Sequence, residues 1–181
     1  MKKSVQNKSI LQMIKRDHQL LRESLAALTQ EDVAPSEKKK QLERFIFNLK
    51  VHSKAEEQSL YNSLVELQEI RPQILEGFEE HQMADQLIKE LESTNFQAEW
   101  TDEDGAKAKV LAELVAHHLK EEEEELFPKI KTYLTKTELE NLGVIYLQIR
   151  KDLRRKLESR FTLPSFKMVS SFVSSKFSVH R

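Results

Sequence analysis

Four segments of this chain carry apolar residues in alternating steps of three and four, and each is interrupted near its middle by a histidine. The first reads Leu11, Ile14, His18, Leu21, Leu25, Leu28, and the second Leu42, Phe45, Leu49, His52, Glu56, Leu60, Leu64. The third is Ile74, Phe78, His81, Asp85, Ile88 with Leu87 and Leu91 beside it; the fourth is Leu111, Val115, His118, Glu122, Leu126, Ile130. Such spacing paints one face of an amphipathic helix, so four helices must bury their apolar faces against one another. With only three Gly and four Pro in 181 residues, long helices are favoured over strands.

Punctuation between the stripes sets the expected organisation. Pro35-Ser36 restarts a helix, with Ser36 read as its N-cap, and Arg71-Pro72 restarts the next, since Pro suits a first helical turn. The polar connection "STNFQAEWTDEDG" precedes the fourth, whose end Pro128 is expected to loosen. Thr135 and Glu138 form a capping box for a fifth helix reaching roughly residue 160. The expectation is an all-α chain. An up-down-up-down four-helix bundle occupies residues 1–134, a C-terminal helix packs on it over 135–160, and a basic, Ser-rich tail covers 161–181.

Several function classes fall away. Without cysteine there is no disulfide framework, thiolate zinc site or cysteine nucleophile. No stretch of about eighteen apolar residues occurs and no signal-like apolar run opens the chain, so neither an integral membrane segment nor export is expected, and the location expected is cytoplasmic. The net charge of -1 is unevenly placed. Residues 150–181 carry nine Lys or Arg against Asp152 and Glu158, a balance of +7, which leaves -8 on the first 149 residues. An acidic body argues against nucleic acid as its partner. The spacing of Phe166, Val169, Phe172, Val173 and Phe177 in the tail is close to helical, but the few basic residues there give a weak attraction to anionic membranes, about 1 kcal/mol each at best.

The polar residues inside the stripes carry the chemistry. A single histidine in such a place is ordinarily a core residue bonded to a neighbour. Here, however, "HSKAEEQSLY" (52–61) is echoed by "HLKEEEEELFP" (118–128), and in both a Glu follows the His by four residues on the same helix face. A carboxylate on an apolar face costs several kcal/mol to bury uncompensated, and the stripes offer no Lys or Arg. Counting 1.5 Å per residue from the presumed helix ends brings all four histidines to one level within about a helical turn. Four imidazoles and two carboxylates exceed the needs of one tetrahedral zinc and suit two cations bridged by carboxylates. With nitrogen and oxygen donors only, iron comes first and manganese or zinc behind it.

The segments "DHQLL" (17–21), "HSKAEE" (52–57), "EEHQMADQLIKEL" (79–91) and "HLKEEEEELFPKI" (118–130) together resemble the hemerythrin-like, or HHE cation-binding, domain. The resemblance implies a four-helix bundle with a non-haem di-iron centre responding to O₂ or a related small molecule such as nitric oxide. It implies His18 as the ligand from the first helix, and His52 with a bridging Glu56 from the second. His81 would serve the third, and His118 with a bridging Glu122 the fourth. The i+4 register prefers Glu122 to Glu123, and the stripe prefers His118 to His117. Oxygen-carrying members resemble this chain but have a second His four residues after His81, where this chain has Asp85. Asp85 is therefore either a ligand, a partner of bound water, or a group that orients His81. If an imidazole is replaced there, the iron potential falls and simple reversible O₂ carriage is disfavoured. A ferritin-like site would need Glu-x-x-His pairs, and no Glu stands three residues before any histidine.

Binding or sensing of O₂, nitric oxide or iron is favoured, because no dedicated catalytic group beyond Asp85 stands beside the ligands. The alternatives are a di-iron enzyme that reduces nitric oxide or peroxide or supports iron-centre repair, and a metal-free helical scaffold. A protein partner is not legible in the sequence.

Overall fold

The structure is a computed structural model describing residues 8–28, 33–93 and 100–158. The tail at 161–181 and the middle of the connection after Ser93 lie outside the described residues. Helix α1 spans Ile10–Leu28 and α2 Pro35–Glu56; a π-helical turn, Glu57–Tyr61, leads from α2 into a short α3, Asn62–Leu64. Helix α4 covers Arg71–Ser93 and α5 Asp102–Glu121, and a second π turn, Glu122–Leu126, continues α5 into α6, Phe127–Tyr133. Helix α7 runs Lys136–Glu158. The described residues form an all-α bundle, as the stripes predict.

Helix starts follow local chemistry, with one correction. Ala34, not Ser36, is the N-cap of α2; it has no side-chain cap bond, and Pro35 takes the first helical turn, where its missing N–H is harmless. Thr101 caps α5 in a reciprocal box with Asp104. Thr135 and Glu138 do the same for α7, Thr135 N–H donating to Glu138 Oε2 at 2.7 Å and Glu138 N–H to Thr135 Oγ1 at 3.3 Å.

The apolar stripes divide into two clusters. Ile10, Leu11 and Ile14 of α1 join Leu60, Leu64, Ile74, Leu126, Phe127 and Ile130 in one. Leu21 and Leu25 of the same helix join Leu42, Phe45, Leu49, Ile88, Leu111, Val115 and Leu119 in the other. Each successive long helix therefore visits the two clusters in the reverse order of the one before, the order expected of an up-down-up-down bundle. The histidines of all four stripes fall between the clusters, with apolar side chains above and below them. Helix α7 packs along α1 and α2 and adds Leu139 and Tyr146 to the first cluster.

The echo between residues 52–61 and 118–127 is structural as well as sequential, for both repeats end in a π turn immediately after Glu56 or from Glu122 onward. Pro128 is not the general cause, because the turn at Glu57–Tyr61 forms without a proline. A π turn widens the helix by one residue per turn, and such turns gather at functional sites. Here the widening buries two consecutive apolar residues on the inner side, Leu60 with Tyr61 and Leu126 with Phe127.

Candidate metal centre

The side chains of His18, His52, Glu56, His81, His118 and Glu122 are all buried in the layer between the clusters. One ligand atom each from His18, His52, Glu56 and Glu122 lies within 4.8 Å of the others, as do atoms from Glu56, His81 and His118. Glu56 belongs to both groups. Its Oε2 is 3.6 Å from His52 Nε2 and 3.8 Å from His81 Nε2. Glu122 Oε2 is likewise 3.2 Å from His18 Nε2 and 3.6 Å from His118 Nε2. The two carboxylates thus stand between two pairs of imidazoles, each pair in edge-to-face contact at 5.0 Å and 4.7 Å between ring centres.

What these atoms lack is as informative as where they are. His18 Nε2, both ring nitrogens of His52, both oxygens of Glu56 and Glu122 Oε2 have no hydrogen-bond partner although they are enclosed. Buried polar atoms are nearly always satisfied, so the five of these orphans that face one another, all but His52 Nδ1, mark a place built for something else. Divalent or trivalent cations fit it, since neutral imidazole and carboxylate are the donors that iron, manganese and zinc accept.

The electrostatics agree. Burial, then repulsion from Glu122, raises the Glu56 carboxyl well above its ordinary range. Burial opposes ionisation of Glu122 too, yet His118, His18 and Tyr61 together pull it far below the usual carboxylate range. The two acids titrate as a pair that resists carrying two negative charges together. Burial also drives His52 well below the ordinary imidazole value.

Sequence reasoning missed a surrounding layer of acids. His18 Nδ1 pairs with Glu123 Oε1 at 2.8 Å, His81 Nδ1 with Glu57 Oε1 at 3.1 Å, and His118 Nδ1 with Glu80 Oε2 at 2.6 Å. Each leaves Nε2 turned into the layer, where His81 Nε2 and His118 Nε2 come within 3.0 Å of each other, and this holds the rings oriented for ligation. Glu123 does point away from His118, as the helix register requires; it serves His18 on the neighbouring helix instead. Hydrogen bonding to His18 and Arg22 lowers Glu123 to about 2 against the effect of burial. Arg22 donates to Glu123 at 2.9 Å, and Lys54 donates to Glu57 at 3.0 Å, so the cations absent from the stripes stand just outside them. The signal in the sequence was the doubled Glu of both repeats and the acid preceding His81.

Asp85 joins neither group of convergent atoms. It is 3.3 Å from Lys54 Nζ, with a side chain 28% exposed. His117 is exposed and lies 3.3 Å from Glu121, as its position off the stripe implies.

Two aromatic rings close the layer. Phe127 stacks on His18 at 5.8 Å and Tyr61 on His81 at 5.5 Å, the same place in each repeat. Only Tyr61 carries a hydroxyl, which donates to Glu122 Oε1 at 2.6 Å. Gly77 makes room for it: a Cβ there would lie 2.5 Å from the hydroxyl oxygen and 2.8 Å from ring carbon Cζ. Gly77→Ala is expected to displace the ring, break its bond to Glu122 and cost about 1–3 kcal/mol, the usual penalty for overpacking. Urea denaturation checks this; unchanged stability would show that the ring is free to shift.

No helix among the described residues is long and apolar enough to cross a membrane. No curated protein and no solved structure matches the chain. A family model does match residues 9–130, roughly two thirds of the chain, and those residues contain all four helices that carry the convergent His and Glu atoms. The chain belongs to the hemerythrin HHE cation-binding family.

Proposed function

We propose that this chain is a non-haem di-iron protein that binds or senses O₂ or nitric oxide. The observation that supports it most is the set of unsatisfied, enclosed atoms of His18, His52, Glu56 and Glu122, with Glu56 and Glu122 each between two imidazoles. His18, His52, His81 and His118 would supply nitrogen, and Glu56 and Glu122 would bridge. Donation by oxygen and nitrogen without thiolate favours iron over softer metals, with manganese and zinc as the competing occupants. When bound, iron supplies affinity for diatomic ligands and one-electron chemistry.

The chain's own residues prepare that chemistry. Glu57, Glu80 and Glu123 hold three of the four rings with Nε2 inward. Tyr61 holds one oxygen of Glu122 and leaves the other toward the imidazoles. Phe127 and Tyr61, stacked on His18 and His81, exclude water from one side of the layer, while Leu21, Leu49, Ile88 and Val115 belong to the apolar cluster on the other.

One feature favours a second reading, an enzyme that reduces nitric oxide or peroxide. The Tyr61 hydroxyl is a buried proton carrier bonded to a proposed ligand, and burial followed by the charge of Glu122 raises its pKa well above the ordinary value. Metal analysis of the full chain purified without chelator is expected to find about two iron ions per chain, as in carboxylate-bridged bundle sites. Near-ultraviolet absorption that bleaches on reduction should accompany them. A protein with neither metal nor that absorption would be a helical scaffold. Turnover with nitric oxide or peroxide that falls in Tyr61→Phe would select the enzyme over the sensor.

A further inference from the structure

The centre has an approximate two-fold relation; besides the Tyr61 hydroxyl and the 3.0 Å approach of His81 Nε2 to His118 Nε2, it fails at one further place. Residues 52–61 correspond to 118–127, and Asp17-His18-Gln19 of α1 corresponds to Glu80-His81-Gln82 of α4. The contacts follow the same relation. Glu57 meets His81 Nδ1 as Glu123 meets His18 Nδ1, and Tyr61 stacks on His81 as Phe127 stacks on His18. His52 Nε2 is 3.6 Å from Glu56, and His118 Nε2 is 3.6 Å from Glu122.

The exception concerns the remaining ring nitrogens. His118 Nδ1 pairs with Glu80, the acid preceding His81, at 2.6 Å. The corresponding acid for His52 is Asp17, but its oxygens face elsewhere. Tyr146 of α7 donates to Asp17 Oδ2 at 2.7 Å. Arg150 of α7 donates to the same oxygen from Nε at 2.6 Å and to Oδ1 from Nη2 at 2.8 Å. His52 Nδ1 is enclosed and has no partner among the described residues. Asp17 is also the shorter acid. Helix α7 lies beyond the residues matched by the family, and its principal neighbours among the long helices are α1 and α2, which places the asymmetry on that half of the bundle.

A metal-bound imidazole that donates its other N–H to a carboxylate is both better oriented and more basic, and loss of such a partner weakens metal affinity by about 10–100-fold. We infer that the two metal positions are unequal. The position served by His81 and His118 is the tight one, braced by Glu57 and Glu80. The position served by His18 and His52 is weak and exchanges readily, because α7 holds Asp17 away from His52. The inference rests on the two-metal reading of the centre and gives the positions different roles, since one ion is retained and the other can be lost and regained.

The test uses the full chain freed of metal and titrated anaerobically with Co(II) against a competing chelator. His52→Ala keeps the His81–His118 position, and His81→Ala keeps the other. The His52→Ala protein is expected to hold its ion about 10–100 times more tightly. Within that background Glu80→Ala should erase most of the advantage, and Glu80→Gln, whose amide oxygen still accepts from His118, should restore a large part. Equal or reversed affinities would overturn the inference and leave the two-metal reading standing; a wild-type chain that takes up no cobalt would sink both. If a variant fails to fold by circular dichroism, the loaded wild-type protein still decides. Challenged with excess chelator, it should release one ion per chain about 10–100 times faster than the other, and a single release phase would overturn the inference.

Discussion

Glu56→Gln is expected to push stability in opposite directions in the metal-loaded and metal-free protein. In the loaded protein the substitution removes the one acid whose oxygen belongs to both groups of convergent atoms. Bound iron should fall from about two ions per chain to about one or fewer. In the metal-free protein the wild-type carboxyl is fully buried, both its oxygens are unsatisfied, and it faces imidazoles at 3.6 and 3.8 Å and the Glu122 carboxylate. A buried group in that state destabilises the fold by about 1–3 kcal/mol, more if charged. The amide has nearly the same volume and no charge to desolvate or to repel Glu122. The metal-free variant should therefore match or exceed metal-free wild type by about 1–3 kcal/mol in urea denaturation with chelator present. With iron in excess the order should reverse. A variant less stable than wild type in both conditions would mean that Glu56 is a structural acid and that the site has no cation to lose.

That reversal separates a metal centre from a polar core, and the pairing of His with Glu that it probes was already legible in the stripes. Steps of three and four place His52 with Glu56 and His118 with Glu122 on one face whatever the tertiary packing, because helix geometry is local. The level of the four histidines was legible for the same reason, since short connections leave little freedom in register. What was not legible depends on two helices at once. Glu123 lies off the inner face of its own helix and is unremarkable there; its role exists only because α1 brings His18 within 2.8 Å. Asp85 shows the converse, since it lies on the right stripe yet is 3.3 Å from Lys54 of α2. The π turns were hidden because they depend on which residue the core accepts. The stripe predicted Leu60 and Leu126, and the widened helix buries Tyr61 and Phe127 as well. Helix α7 was expected from its capping box, but its reach to Asp17 was not, because no pattern in residues 135–160 addresses a partner more than a hundred positions away.

Stripping the metal from wild type should lower the midpoint of thermal unfolding by about 15–30 °C. A ligand present at 1,000 times its dissociation constant stabilises the folded state by about 4 kcal/mol per site, provided the unfolded chain does not compete for it. Two such sites give about 8 kcal/mol, and each kcal/mol moves the midpoint of a chain this long by about 2–4 °C. The structure supplies the reason the effect should reach the whole bundle. The proposed ligands come from four of the five long helices, and they separate the two apolar clusters, so bound cations would tie those four helices together at mid-height. Without them the same layer holds two acids that resist ionising together and a histidine driven toward neutrality by burial. Loss of the metal should therefore loosen the layer itself before the clusters. Amides of α2 and α5 around His52 and His118 should exchange with solvent faster than those around Leu42 and Leu111. A midpoint that moves by less than about 5 °C at saturating iron would imply less than about 3 kcal/mol from both sites together, and the centre would then be a weak surface-type site rather than the element that holds this bundle's interior.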